Sequence, residues 1–346
     1  MFRRILVPLD GSSRAERAIP VALRLARSSG GSIVLLRVVS TATELWPFLP
    51  GQQSLASTAI NSALSEAQHY LAHVRTAFHE PNVAIETSMQ VGPAASTILQ
   101  AASDKQVDLM VLCSHGYTGL TRQIMGSVAE RVARHAPVPV LVLREGGPIP
   151  AGPHPDASRT LRILVPLDGS VQAKAALAPA AALVAGLAAP ATGALHLTQV
   201  VKPLPAHHER EEAVQEHART LQRAKDYLLK MVEHLREDWN TPEIAPLDLS
   251  ITWSVATDTH IADGILRVAE TGEEAEGISP PGGCEMIAMA THGYSGVSLL
   301  TMGSVTEHVL NATKLPMLVV RPPLPTTQER VGREVNDLKD RTKMLG

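Results

Sequence analysis

The chain carries one sequence pattern twice, and this repeat limits the possible folds more than any other feature. The eight residues Ile5–Ser12, ILVPLDGS, return unchanged as Ile163–Ser170. Two further matches follow in the same order, 114–119 (SHGYTG) with 291–296 (THGYSG) and 125–128 with 302–305, both MGSV. Because three ordered matches do not arise by chance, the chain is an internal duplication.

The length and the linker pattern predict where each copy begins and ends. A chain of 346 residues is long enough for two domains of about 150 residues each. A run rich in Pro and Gly separates the copies, so we predict domains at 1–145 and 159–322 with a linker at 146–158. Residues 323–346 mix both charge signs with few apolar positions and are predicted to form a charged tail.

Within each copy, short apolar runs alternate with helical periodicity. In the first copy the predicted strands are 4–9, 32–39, 83–89, 107–113 and 138–144. Near-continuous apolar strands separated by helices favour a parallel sheet covered on both faces. We therefore predict an α/β fold of two repeated doubly wound domains, each a five-stranded parallel sheet in the order 3-2-1-4-5. The second copy is longer by 19 residues, and we assign part of this excess to a surface loop within 270–283, which is rich in Glu, Gly and Pro.

Composition excludes several classes of protein. With 31 basic and 34 acidic residues the net charge is −3, which disfavours nucleic acid as a partner. Two cysteines, Cys113 and Cys284, cannot form a disulfide framework, so we expect a reduced, cytoplasmic protein. The stretch 175–197 is nearly uncharged, but Pro179, Gly186 and Pro190 interrupt it. We interpret it as a buried crossover helix followed by a loop, and predict no membrane partner.

The repeated motifs fall at the carboxyl ends of predicted strands, where parallel sheets of this class bind ligands. Asp10 and Asp168 follow the first strand of each copy, and Gly126-Ser127 and Gly303-Ser304 each precede a helix. A glycine at a helix start lets a phosphate approach unpaired amides, and a carboxylate at a strand end bonds a ribose hydroxyl or helps to hold Mg²⁺.

Two interpretations without a ligand remain open. Ser127 with Glu130, and Ser304 with Glu307, fit the Ser-x-x-Glu capping box that starts a helix. Asp-Gly-Ser is also a common turn between a strand and a helix.

With these motifs the chain resembles the universal stress proteins, in tandem form. The ATP-binding members of that family carry an early strand-end Asp and the pattern Gly-x-x-Gly, nine residues, then Gly-Ser or Gly-Thr. The resemblance implies a nucleotide site in the first copy at Pro8, Asp10, Gly11, Val38, Cys113, His115, Gly116, Gly126, Ser127 and Val128. The matching residues of the second copy are Pro166, Asp168, Gly169, Val200, Ala290, His292, Gly293, Gly303, Ser304 and Val305.

The chain departs from the family pattern at its first glycine. Cys113 and Ala290 stand there, and their Cβ atoms are expected to crowd the phosphate path, more for Cys113. His115 and His292 hold matching places in the two clefts, where they either contact phosphate or merely cap a strand end.

The resemblance implies that the protein binds ATP with Mg²⁺, held through Asp10 and Asp168, and acts as a stress-response regulator with little or no turnover. An interaction module that binds no nucleotide and a slow ATP hydrolase or nucleotidyl transferase are the alternatives. The resemblance also implies pairing of the last strands, 138–144 with 315–321, as an intramolecular pseudo-dimer with a possible homodimer beyond it.

Overall fold

The computed structural model describes residues 2–40, 53–114, 125–144, 147, 160–204, 211–239, 249–272, 275–277, 283–293 and 302–323. Most of the predicted linker 146–158 and all but the first residue of the predicted tail 323–346 lie outside these residues, as do His115 and Gly116.

The elements of the two copies follow the predicted alternation. In the first copy they are β1 (Arg4–Leu9), α1 (Ser13–Glu16), α2 (Ala18–Ser29), β2 (Ser32–Val39), α3 (Gln53–Ala77), β3 (Ala84–Val91), α4 (Ala94–Asp104), β4 (Leu109–Cys113), α5 (Ser127–His135) and β5 (Val140–Leu143). In the second copy they are β6 (Arg162–Pro166), α6 (Val171–Lys174), α7 (Leu177–Ala188), β7 (Gly193–Val201), α8 (Glu211–Trp239), β8 (Leu249–Thr257), α9 (Ile261–Thr271), β9 (Ala275–Gly277), β10 (Met286–Ala290), α10 (Ser304–Ala312) and β11 (Met317–Val320).

The strands form the predicted doubly wound order in both copies. The sheet runs β3-β2-β1-β4-β5-β11-β10-β6-β7-β8-β9. Five strands of each copy therefore follow the order 3-2-1-4-5, and the second copy adds β9 beside its third strand. Within each copy these five strands pair in parallel. The predicted α/β class and strand order are confirmed.

The prediction of a plain surface loop within 270–283 was wrong in part. Residues 275–277 form β9, which pairs antiparallel with β8. Gly277 lies opposite Ser254, and Ala275 lies opposite Ala256. A three-residue strand gives no apolar alternation to detect, and its pairing comes from the exposed edge of β8 rather than from its own side chains.

The last strands of the two copies lie side by side in the sheet. β11 pairs antiparallel with β5, and Met317 lies opposite Val142. All eight residues of the two strands are buried. The described strands therefore make one continuous eleven-stranded sheet.

Helices cover both faces of this sheet, and the apolar core continues across the two copies on each face. One face packs Ile19 and Leu25 of α2 with Leu187 of α7, together with α3 and α8. The other packs Ile98 of α4 and Val309 of α10, together with α5 and α9. Since buried apolar area is the main stabilising term, each half depends on the other for part of its core.

The uncharged stretch in the second copy forms core helix rather than an isolated span. The window Val171–Ala188 is long and apolar enough to cross a membrane by length and composition, and 56% of it is buried inside the protein. Soluble core helices pass the same test. A turn after Lys174 divides it into α6 and α7, and the predicted helix is confirmed. The predicted loop after it is shorter than expected, because β7 begins at Gly193.

Arg24 connects the two copies on the face of α2 and α7. It is 7% exposed, and its guanidinium donates from Nε to the Leu187 carbonyl (2.6 Å) and from Nη2 to the Ala189 carbonyl (2.9 Å). A positive charge at the C-terminal end of α7 also interacts favourably with the helix dipole.

Replacing Arg24 with Met is expected to lower the free energy of unfolding by about 2 kcal/mol, because two carbonyls lose a charged donor. Urea denaturation measures this. Arg27→Met is the matched control, since Arg27 is 55% exposed and reaches Glu80 at 4.0 Å. It should change stability by less than about 0.5 kcal/mol. Equal effects of the two variants would contradict the role given to Arg24.

Candidate functional site

The turn after the first strand has the same geometry in both copies. Oδ1 of Asp10 accepts hydrogen bonds from the backbone N–H (2.9 Å) and the hydroxyl (2.6 Å) of Ser12, and Ser12 caps α1. Gly11 between them has φ +88°, a conformation that side chains disfavour. In the second copy Asp168 and Ser170 repeat this pattern at 3.0 and 2.6 Å. The turn interpretation of Asp-Gly-Ser therefore holds, and it fixes each aspartate at the end of its strand.

The helices that follow the fourth strands begin without a side-chain cap. The N-cap of α5 is Gly126 and that of α10 is Gly303, and neither helix start has a side-chain cap hydrogen bond. The N–H of each glycine bonds back to the end of the preceding strand, to the Ser114 or Thr291 carbonyl at 2.8 Å.

The capping-box interpretation does not hold in either copy. Ser127 and Ser304 are the first residues inside their helices rather than N-caps, so their hydroxyls are one position too late to cap. The glutamates of the two boxes point elsewhere: Glu130 and Glu307 both pair with Arg134. The first amides of α5 and α10 are consequently left for another acceptor.

The start of α5 opens into a cavity of about 450 Å³, which we call the first cleft. Seven of the predicted site residues line it: Pro8, Asp10, Val38, Cys113, Gly126, Ser127 and Val128. They come from β1, the loop after it, β2, β4 and α5, so the strand ends and the helix start converge as the doubly wound fold requires. Gly11 lies in the adjoining turn.

Several residues of the first cleft were missed from the sequence. Ala94 and Ile98 of α4 supply apolar wall, and Arg37 and Ser40 line the end of β2. The guanidinium of Arg37 donates to the Leu9 carbonyl at 3.4 Å. The i, i+4 spacing of Ala94 and Ile98 was a usable signal, because one helix face had to meet the sheet. Arg37 gave no such signal, because the sequence does not show to which face of the sheet a charged residue within an apolar strand points.

In the corresponding region of the second copy, which we call the second cleft, Asp168 lies beside Gly293, and His292 lies beside Gly303. A Cβ at Gly293 would collide with Oδ2 of Asp168, so a larger residue there would displace this carboxylate. His292 is 7% exposed, and its Nδ1 lies 2.9 Å from the Thr291 hydroxyl. Its Nε2 is buried and has no hydrogen-bond partner among the described residues. A buried unpaired nitrogen is costly and suits a polar ligand.

The second cleft is more closely packed on its helix side. The sheet registers align Val38 with Val200, and the buried residues of α4 and α9 align Ala94 with Ile261. Gly264 of α9 approaches β7 so closely that a Cβ there would lie 2.7 Å from Cγ1 of Val200. Val200 and Ile261 both pack against the core. The residue matching the first cleft's small Ala94 is thus a large, partly buried isoleucine.

The described side chains supply no complete metal site of their own. Within the described ranges no group of three His, Cys, Asp or Glu side chains could hold a metal ion. Each copy offers one carboxylate at the end of its first strand, Asp10 or Asp168. Mg²⁺ beside phosphates usually takes only one or two protein carboxylates.

The two thiols differ in reactivity. Cys113 is half-buried and lines the first cleft, whereas Cys284 is buried and burial raises the pKa of its thiol to about 12. Because the thiolate is the nucleophile, we expect one maleimide adduct per native chain at neutral pH, on Cys113. Mass spectrometry of the labelled peptides checks this, and Cys113→Ala is the control that should abolish labelling. Equal labelling of Cys284 in the native protein would contradict it.

In a comparison with known proteins, the model of one family matches both copies. A model of the universal stress protein family matches residues 1–144 and 160–321. Universal stress protein MJ0531 of Methanocaldococcus jannaschii is 32% identical over 145 residues, which cover 42% of this chain and 84% of that protein.

One solved structure shows the likeness over the whole duplication. A universal stress protein from Archaeoglobus fulgidus superposes with a TM-score of 0.53 at 18% identity, covering 92% of this chain and 96% of its own, so the two share a fold. A further universal stress protein was solved in complex with cAMP; it is 23% identical, covers 41% of this chain and 97% of its own, and has a TM-score of 0.28.

Proposed function

Because the chain belongs to the universal stress protein family, we propose that its first cleft binds ATP with Mg²⁺ and that binding regulates the protein. The observation that carries the proposal is the uncapped start of α5 opening into a cavity of about 450 Å³. Cavities of about 300–1,000 Å³ are usual for small-molecule sites.

The start of α5 supplies the phosphate end of the proposed site. Ser127, Val128 and Ala129 are its first three residues, and all three line the cavity. Their amides have no partner within the helix, and the helix dipole adds a positive potential there. An anionic chain placed against these amides would replace the missing cap.

The apolar lining of the cleft suits a nucleoside. Pro8, Val38, Ala94 and Ile98 give it apolar walls that a purine ring can contact. Asp10 lies at the rim with its Oδ1 already engaged by Ser12, so the carboxylate is held in one orientation. It is placed to accept a hydrogen bond from a ribose hydroxyl.

Mg²⁺ would neutralise phosphate charge when bound, and Asp10 is the residue of this cleft that would contribute a carboxylate to it. Its fixed orientation supports a binding role, and we propose little or no turnover. The antiparallel pairing of β5 with β11 supports a further proposal, that the two copies act together as an internal pseudo-dimer.

We propose weaker binding in the second cleft. Asp168 and the uncapped start of α10 repeat the features of the first cleft. The Nε2 of His292, which has no partner in the described part of the chain, favours a polar ligand. Ile261 and the contact between Gly264 and Val200 leave less room for a purine.

Calorimetric titration with ATP and Mg²⁺ tests the proposal, followed by a thermal-shift assay at about millimolar nucleotide. We expect saturable binding, a higher melting temperature, and phosphate release no faster than in buffer. Maleimide labelling of Cys113 should slow when nucleotide is bound, since that thiol lines the cleft. No heat and no thermal shift would leave a protein-interaction module as the function, and phosphate release that depends on the cleft would indicate a hydrolase.

A further inference from the structure

The eleven-stranded sheet ends differently at its two edges. At one edge the final strand is β9, which is three residues long. At the other it is β3, which is eight residues long and pairs with β2 on its inner side. No strand of the described part of the chain pairs with its outer side. A long open edge leaves a row of backbone donors and acceptors, whereas a very short edge strand is a known protection against pairing.

In the second copy the matching edge, on β8, is paired with another strand. Since Ser32 pairs with Ala84 and Ala194 pairs with Ser250, Met89 of β3 corresponds to Val255 of β8. Val255 lies opposite Glu276 at the centre of the pairing with β9 and is 3% exposed. Met89 is 36% exposed and Val91 is 45% exposed. The backbone edge at this position therefore pairs with an antiparallel strand in the second copy and has no strand partner among the described residues in the first.

The exposed half of β3 also lacks the usual defences of an edge strand. Its charge is at the start, where Glu86 pairs with Arg4 and with Lys105. The five residues 87–91, Thr-Ser-Met-Gln-Val, contain no charge and no proline. Natural edge strands usually carry such residues as a protection against pairing, so an uncharged edge without proline indicates a surface that pairs.

We propose that the outer edge of β3 pairs antiparallel with β3 of a second copy of this chain, about a twofold axis at Met89. In this register Met89 lies opposite itself, Ser88 opposite Gln90 and Thr87 opposite Val91. Glu86 falls opposite Gly92, so no like charges meet. The segment is self-complementary, as a twofold interface requires. The contact is small, so the dimer forms at micromolar rather than nanomolar concentration.

Cross-linking tests the register. In a Cys113→Ala background, Met89→Cys places two thiols opposite each other across the axis, within the Cα separation that a disulfide spans. Mild oxidation with diamide should give a disulfide-linked dimer. The matched control is Glu86→Cys in the same background, because its two copies would lie about 20 Å apart along the strands. Dimers from both variants, or from neither, would overturn the proposal.

Sedimentation velocity without nucleotide tests the association itself and does not depend on the proposed ATP site. Between about 1 and about 200 µM the native mass should rise from 36.9 kDa towards twice that value. Met89→Lys and Val91→Lys should each weaken association at least about tenfold, because a lysine blunts the edge. Val214→Lys, on α8 and 50% exposed, is the control that should leave it unchanged. A native chain that stays at 36.9 kDa, or a dimer indifferent to both edge variants, would overturn the proposal.

Discussion

Replacing Ser127 with Asp is expected to weaken the binding of ATP with Mg²⁺ about 100-fold or more. Ser127 is the first residue of α5 and lines the first cleft, so the new carboxylate would face the phosphates. Opposed like charges cost several kcal/mol, and about 2.7 kcal/mol corresponds to a factor of 100. A carboxylate in the first turn stabilises a helix, so the loss of binding should come without loss of folding stability. Calorimetry with ATP measures the first effect and thermal denaturation the second.

Two controls separate charge from shape and one cleft from the other. Ser127→Asn has nearly the size of the Asp variant without its charge, and it should bind within about tenfold of the native protein. Ser304→Asp places the same charge at the start of α10 and should leave binding in the first cleft intact. Native affinity in Ser127→Asp would mean that the start of α5 does not contact phosphate.

Acidification from pH 7 to pH 4 is expected to remove about 3 kcal/mol of stability through His196 alone. This side chain is 2% exposed, and its ring nitrogens each lie 2.8 Å from a hydroxyl, Nδ1 from Thr252 and Nε2 from Ser254. Burial, and secondarily the charge of Arg162, lowers the pKa of His196 from 6.5 to about 4. As the pH falls through this interval the unfolded chain takes up a proton that the folded chain resists, so the stabilisation is complete above pH 6.5 and lost towards pH 4.

The first copy supplies the matched variant for this test. The sheet registers align His196 with Val34 and Thr198 with Leu36, both buried and apolar in the first copy. His196→Val with Thr198→Leu should therefore lose about 3 kcal/mol less than the native protein over the same interval. Urea denaturation at each pH gives the free energy of unfolding of the native protein and of the variant. If this free energy falls equally with pH in both, His196 does not titrate in this range.

The architecture was predictable because apolar patterns record burial directly. The strand predicted at 32–39 is β2 as observed, and the helix predicted after Gly126-Ser127 is α5. These segments are buried on both faces or on one regular stripe, so their residues repeat with the period of the element. β9 has three residues whose pairing is decided by a neighbouring strand, and no local pattern encodes that.

The site was predictable in its motifs but not in its shape. The repeated Asp and Gly-Ser motifs sit at strand ends, which topology alone brings together. Whether serine or glycine is the N-cap depends on one residue's backbone angles, so the pattern Ser-x-x-Glu suggested a cap that Gly126 replaces. The difference between Ala94 and Ile261 became visible once the registers aligned the two copies, because it concerns the space between a helix and a sheet.

A crystal structure grown with ATP and Mg²⁺ tests the central claim most directly. It should show the triphosphate in the first cleft with phosphate oxygens about 3 Å from the amide nitrogens of Ser127 and Val128. The purine should lie between Val38 and Ala94. A first cleft without nucleotide density at saturating ATP, or a nucleotide bound away from the start of α5, would contradict it.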